Sequence, residues 1–301
     1  MQVDRGSYPD ARTPWDHAAW RREATGWLVE QLDQLGIRET GPMRVRLRPW
    51  SVIVRVEAAE PLWFKANPAG SAFEPALTRR LAQLVPDHVL TPYAVDAERG
   101  WSLLPDGGQL LRDVEREPRH WAEALGQYAE FQRALVDHVH ELDQLGVPDG
   151  RPAVLPELFD QLAGADQRLR KLRPELVEWC TELASFGIPD TIDHADLHEN
   201  QIFTGDRYTF FDWGDAVVAH PFCSLLVPIE RAAHELGPEV IPRLRDAYLE
   251  HWPGDSRTLR RAADLAWQLG SLTRATSWQR LFPGNGAIGD AGIAEALDRL
   301  R

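Results

Sequence analysis

About a third of the way along, the chain reads Pro105-Asp106-Gly107-Gly108, a proline and two glycines set between a strand-like run and a helical stretch. Such a cluster interrupts regular structure, because proline lacks an N–H and glycine is conformationally loose. The apolar residues repeat differently on its two sides. Before it, Met43, Val45 and Leu47 alternate with Arg44, Arg46 and Arg48, the period of a half-buried strand. Val52 to Val56 and Leu62 to Ala66 extend this into an antiparallel meander, and two short strands flank Asp96-Ala97-Glu98-Arg99-Gly100. Two helices are also predicted here, Pro14 to Leu35 stopping at Gly36, and Phe73 to Val85 closed by Pro86. Beyond the break helix dominates, with Trp121, Leu125, Tyr128, Phe131, Leu135, Val139 and Leu142 along one face. The exception is a strand-like stretch from Thr191 to Trp213 that turns at Thr204-Gly205-Asp206-Arg207. These patterns predict an α+β chain of two lobes, a small β-rich one over residues 1–104 and a larger, mostly helical one over 105–301, with ligands in the cleft between.

Composition narrows the function classes. At 301 residues with 44% apolar content the chain can bury a large core, and 12 tryptophans predict that large rings anchor it. A net charge of −13 argues against nucleic acid, whose binding needs a basic surface to displace counterions. The same acidity would draw in a cationic ligand, and it also serves solubility. Cys180 and Cys223 sit in apolar stretches without metal-ligand spacing, as core thiols of a reducing compartment do. The first residues lack a secretion signal and no window is long enough to span a membrane, so a cytoplasmic protein is expected.

Residues 193–216 carry the densest set of metal-capable side chains. A hairpin flanked by Ile202, Phe203, Tyr208, Phe210 and Phe211 would hold Asp196 and Gln201 at one end, close to Asp212. Oxygen ligands gathered in this way suit a hard cation such as Mg²⁺. Capping of turns by the same carboxylates is the structural alternative. His138-x-His140 is not read as a zinc site, because rings two apart on a helix diverge.

The motif His194-x-Asp196-Leu197-His198-x-x-Gln201, followed by Asp212-Trp213-Gly214, resembles the aminoglycoside phosphotransferase and choline kinase-like family, relatives of the protein kinases. That resemblance spans roughly residues 40 to 235 and implies a protein-kinase-like fold. It also implies a small-molecule kinase that transfers the γ-phosphate of magnesium-bound ATP or GTP to a hydroxyl. In the family's terms Asp196 orients the acceptor hydroxyl and takes its proton, while Gln201 and Asp212 hold magnesium. Gln201 departs from the Asn expected there; it keeps the amide oxygen but adds a methylene. Asn200, next door, is expected to face another way on a strand.

Triphosphate chemistry also needs a cation. Lys65 lies inside the apolar run Leu62-Trp63-Phe64-Lys65-Ala66, where a buried ammonium calls for a partner. Glu74 precedes Leu77 and Leu81 on the predicted helix and so lies near its buried stripe, and the resemblance makes it that partner. Where kinases carry a glycine-rich loop this chain has Arg48-Pro49-Trp50-Ser51, with Ser51 either a phosphate contact or part of a plain turn. By resemblance alone the base lies against Leu103, Leu104 and Pro105. Glu199 and Asp215 are candidate acceptor contacts that favour an aminated sugar, antibiotic or similar polar metabolite; capping is the alternative for Asp215. Trp278, Glu230 and His234 are further candidates for the same region. Gln201 and the missing glycines also fit a catalytically silent, nucleotide-binding relative. A protein kinase is disfavoured, since no Ala-Pro-Glu follows and Asp212-Trp213-Gly214 is expected to run directly into a helix.

Overall fold

A computed structural model of the chain describes residues 2–114, 117–164, 166–282 and 286–300, the side chains of 286–288 excepted. The chain forms two compact units, Met1–Gly108 and Gln109–Arg301. The first contains β1 (Gln2–Asp4), α1 (Ala18–Leu35), β2 (Arg44–Arg48), β3 (Ser51–Val56), β4 (Leu62–Ala66), α2 (Glu74–Leu84), β5 (Ala94–Asp96) and β6 (Trp101–Pro105). Its strands form one sheet in the order β1-β2-β3-β4-β6-β5, antiparallel except for β1 against β2. The edge strand β1, exposed throughout, has no sequence signature and depends on pairing with β2.

Alternation along these strands separates two faces. Val45, Leu47, Val52, Val54, Val56, Leu62, Phe64, Ala66, Trp101 and Leu103 form one apolar cluster with Ala24, Leu28 and Leu32 of α1. Trp27 and Phe64 stand 5.7 Å apart between ring centroids, and Trp101 lies within 5.9 Å of both. The other face takes Ser51, Ile53, Lys65, Ser102 and Leu104, and Ile53 and Ser102 flank Lys65 directly in register. The expected first helix starts with a 3₁₀ turn, Pro14–Asp16, before α1. It stops at Gly36, whose φ of 67° is left-handed.

The second unit contains α3 (Pro118–Ala134), α4 (Val139–Gln144), β7 (Asp149–Gly150), α5 (Leu155–Ala163), α6 (Gln167–Arg170), α7 (Arg173–Ser185), β8 (Thr191–Asp193), β9 (Ile202–Phe203), β10 (Thr209–Phe210), β11 (Val217–Ala219), α8 (Leu226–Leu236), α9 (Ile241–Leu249), α10 (Ser256–Leu281) and α11 (Gly286–Asp298). Two small sheets sit among the helices, β7-β11-β8 and β10-β9. No helix among the described residues is long and apolar enough to cross a membrane. Both cysteines are buried free thiols, and burial pushes Cys180 up to about 12.

Three expectations about this unit are corrected. The helix expected from Trp121 through Leu142 is two, α3 and α4, joined by the 3₁₀ turn Val136–His138; such a turn barely disturbs the apolar spacing, so the pattern cannot reveal it. Between Thr191 and Trp213 the ladder shrinks to two residue pairs of β9 and β10, while β8 pairs with β11 instead. The polar residues between β8 and β9 bond to nearby backbone and leave the ladder, as short polar side chains tend to do. Finally, Asp212-Trp213-Gly214 runs not into a helix but through the 3₁₀ turn Trp213–Asp215 into β11. Val217 and Val218 are buried on both faces of that strand, and a short apolar run of this kind has no distinguishing period.

His220 follows β11 and caps the next turn: its Nδ1 accepts from the Phe222 N–H at 3.3 Å, while Nε2 is buried without a partner. Burial pushes its pKa from 6.5 down to about 3. A histidine depressed in this way favours folding fully above pH 6.5, and the contribution is lost as pH falls toward about 3, because the unfolded chain takes up the proton first. His220→Asn keeps a capping acceptor. Urea melts over that range should show a shallower loss of stability in the variant, by up to about 1.4 kcal/mol per pH unit.

Candidate active site

In the first unit, Lys65 and Glu74 are 8% and 4% exposed, and the lysine Nζ lies 2.7 and 2.6 Å from the two carboxylate oxygens. The pair joins β4 to the first turn of α2. Either charge alone in this setting would cost several kcal/mol. Ser51 is buried on the same sheet face, opposite Arg48 across the turn at Pro49-Trp50. Leu104 also falls on that face, whereas Leu103 points the other way into the α1 cluster and is wholly buried. Pro105 ends β6, and Asp106 after it accepts from the Trp63 indole N–H at 3.0 Å.

In the second unit a buried chain of hydrogen bonds fixes the start of the motif. Tyr248 of α9 donates to Gln132 Oε1 at 2.5 Å; Gln132 Nε2 donates to Ser224 Oγ at 3.0 Å and to the Ile192 carbonyl at 2.6 Å. Ser224 donates onward to Asp193 Oδ1 at 2.7 Å, and the same oxygen accepts the Ala195 N–H at 2.8 Å. The Thr191 hydroxyl returns to the Gln132 carbonyl at 2.9 Å. Burial raises the Asp193 carboxyl above the usual range.

This anchoring holds a strained backbone. Ala195 and Asp212, at φ 59° and 68°, are the described non-glycine residues in the left-handed region, a conformation that costs about 1–3 kcal/mol each and is maintained by its surroundings. Asp196 follows Ala195. Its Oδ1 lies 2.6 Å from Arg274 Nη2, and its Oδ2 accepts from Gln201 Nε2 at 3.3 Å with His198 Nε2 at 3.9 Å. Burial lifts the Asp196 carboxyl above the usual carboxylate range, Arg274 pulls it back and Asp215 opposes that pull.

Asp212 reaches the same neighbourhood through the backbone. The Phe211 N–H donates to the Gln201 carbonyl at 3.2 Å, and the Phe211 carbonyl accepts from His194 Nε2 at 2.8 Å. Burial lowers the pKa of His194, while its bond to the Phe211 carbonyl and the charges of Asp196, Asp212 and Asp215 oppose the shift. His194 thus ties β8 to the segment before Asp212. Oxygens of Asp196, Asp212 and Gln201 are donors of the kind magnesium takes, and that ion needs only one or two carboxylates when phosphates complete its shell. Among the described residues no three His, Cys, Asp or Glu side chains form a closed metal cage. The Gln201 amide is engaged: Oε1 accepts the His198 N–H at 3.1 Å while Nε2 donates to Asp196. One lone pair of that oxygen remains.

The other candidates fall into two groups. Glu199 is buried and held by Arg231, at 2.5 Å from Nη2 and 3.2 Å from Nε. Asp215 accepts from the Ser277 hydroxyl and lies 3.6 Å from Arg274 Nη1. Asp215 does not cap a helix; it ends the 3₁₀ turn before β11. Trp278 carries Arg274 over its ring at 5.5 Å, Glu230 pairs with Arg299, and His234 is exposed on α8. Asn200 accepts from Arg112 Nη1 at 2.8 Å, on a turn rather than a strand. Arg274, Ser277 and Arg280 of α10 went unread in the sequence. A 26-residue helix offers many arginines, and only folding selects those that reach the motif.

The profile of the APH phosphotransferase enzyme family matches residues 38–265, and the chain belongs to that family. It is a phosphotransferase with an alcohol group as acceptor, and its fold is that of the family's kinase-like structures. Macrolide 2′-phosphotransferase from Brachybacterium faecium superposes with a TM-score of 0.61 at 17% identity, over 93% of this chain and 98% of that one. The Plasmodium vivax ethanolamine kinase gives 0.60 at 12%, over 86% and 80%, and the Streptococcus pneumoniae choline kinase 0.56 at 11%, over 92% and 99%. An aminoglycoside 2′-phosphotransferase-IIIa solved with GDP gives 0.56 at 14%, over 92% and 97%. A comparison with curated proteins found no match.

The buried Lys65–Glu74 pair generates a stability prediction. Lys65→Met should lower the unfolding free energy by roughly 3 kcal/mol in urea melts, because Glu74 is left charged and dry. Adding Glu74→Leu should recover most of that loss.

Proposed function

We propose that the protein is a small-molecule kinase that transfers the γ-phosphate of ATP or GTP, with magnesium, to a hydroxyl of a polar antibiotic, sugar or metabolite. The observation that carries this reading is the Asp196 carboxylate, aimed by Arg274 and Gln201 and joined through the Gln201–Phe211 backbone bond to Asp212. Phosphoryl transfer asks the protein for position and charge rather than covalent chemistry. Asp196 orients the acceptor hydroxyl and takes its proton, and a carboxyl lifted by burial is better matched to that proton than a fully solvated one. Lys65, aligned by Glu74, steadies the α- and β-phosphates, with Ser51 on the same sheet face and the base against Leu104, Pro105 and the adjoining backbone. Asp212 would hold magnesium together with the remaining lone pair of Gln201. The bound ion supplies neutralisation of phosphate charge.

The engaged Gln201 amide favours one rival, a nucleotide-binding relative without turnover. Magnesium-dependent release of nucleoside diphosphate over a panel of sugars, amino alcohols and antibiotics separates the two. For the kinase, Asp196→Asn should cut turnover by about a thousandfold or more while leaving nucleotide affinity within a few fold. Tight nucleotide binding with no release on any acceptor, unchanged in the variant, would establish the rival.

A further inference from the structure

Arg274 lies directly beside the Asp196 carboxylate. Its Nη2 is 2.6 Å from Asp196 Oδ1, its Nη1 donates to the Ala195 carbonyl at 3.2 Å and lies 3.6 Å from Asp215 Oδ1, and its guanidinium rests on Trp278. The side chain is 23% exposed and that of Asp196 18%, so the pair is largely withdrawn from water and its charges are weakly screened. Four groups hold the guanidinium, which makes it a fixed part of the site rather than a passing surface contact.

The neighbouring charges lead to the same result. Glu199 is neutralised by Arg231, and Asp215 has Ser277 and Arg274. Arg280 adds a further cation against the Gly214 and Asp215 carbonyls. Asp196 and Asp215 thus share Arg274, Glu199 has Arg231, and Asp212 is the carboxylate assigned to magnesium. Asp196 and Asp215, the two carboxylates around Arg274, are already paired with it, and a fixed positive group there repels a cationic ligand.

Resting on the kinase reading, we propose that Arg274 is a specificity-determining residue and that the acceptor is an uncharged polyol at the hydroxyl being phosphorylated, with no ammonium on the adjoining carbons. Arg274 discriminates by like-charge repulsion, while its ion pair occupies Oδ1 and leaves a hydroxyl to approach Oδ2, which among the described residues accepts only the long bond from Gln201.

The test is binding of two matched pairs, glucose against glucosamine and glycerol against 3-amino-1,2-propanediol, followed by NMR titration of the full chain without nucleotide. Wild type should bind the neutral member of each pair at least about tenfold more tightly. Arg274→Gln should shrink the preference to within about threefold or reverse it, since Asp196 then lacks its cation. Arg274→Lys keeps the charge and should keep the preference, so wild type and this variant decide the matter if the Gln variant fails to fold. Equal or tighter binding of the amines by wild type, a preference unmoved in a folded Gln variant, loss of preference in the Lys variant, or no binding of any of the four compounds overturns the proposal. Because neither nucleotide nor turnover enters the measurement, its failure leaves the kinase reading intact, and failure of the turnover assay leaves this result intact.

Discussion

A buried polar group must find a partner, and the second unit is organised around one answer to that requirement. Tyr248, Gln132, Ser224 and Asp193 pass hydrogen bonds in a single direction, from α9 through α3 and the turn before α8 to β8. The chain ends on the Ala195 N–H, one residue before Asp196. Left-handed backbone at Ala195 is unfavourable in isolation, and this network, with the carbonyl contact from Arg274, supplies the constraint that maintains it. Four distant stretches of sequence therefore converge on one short segment.

Charge pairing serves different ends in the two units. Lys65 and Glu74 neutralise each other on the sheet face opposite α1, and the pair ties α2 to β4. Around Asp196 the pairing joins separate elements: Arg274 of α10 reaches Asp196 and Asp215, and Arg231 of α8 holds Glu199. Buried ion pairs add little net stability over apolar substitutes, because desolvation offsets attraction. Their retention in both places fits a role in orientation and selection.

Much of the first unit was legible because a half-buried sheet imposes a strict period of two. Val45 and Leu47, Val52, Val54 and Val56, and Phe64 all turned to the α1 side as that period requires, leaving Lys65 on the opposite face. Glu74 was legible for a related reason, since helical spacing put it near the stripe of Leu77 and Leu81. Less was readable where residues pack on all sides. The strand Val217–Ala219 was expected as helix, and the join between α3 and α4 was invisible, because apolar residues buried on every face carry no period.

The sequence by itself determined the family motif: one short segment holds His194, Asp196, Gln201 and Asp212, and their spacing is a local property of the chain. It also determined the two-part plan, through the change of period around Pro105-Asp106-Gly107-Gly108. Only the tertiary structure decided what surrounds those residues. Arg274 lies 78 positions beyond Asp196 in a long helix, and its role exists only because α10 packs against the turn before β11. A carboxylate's partner is chosen by distance in space, and local pattern carries no record of that distance when the two residues belong to separate elements.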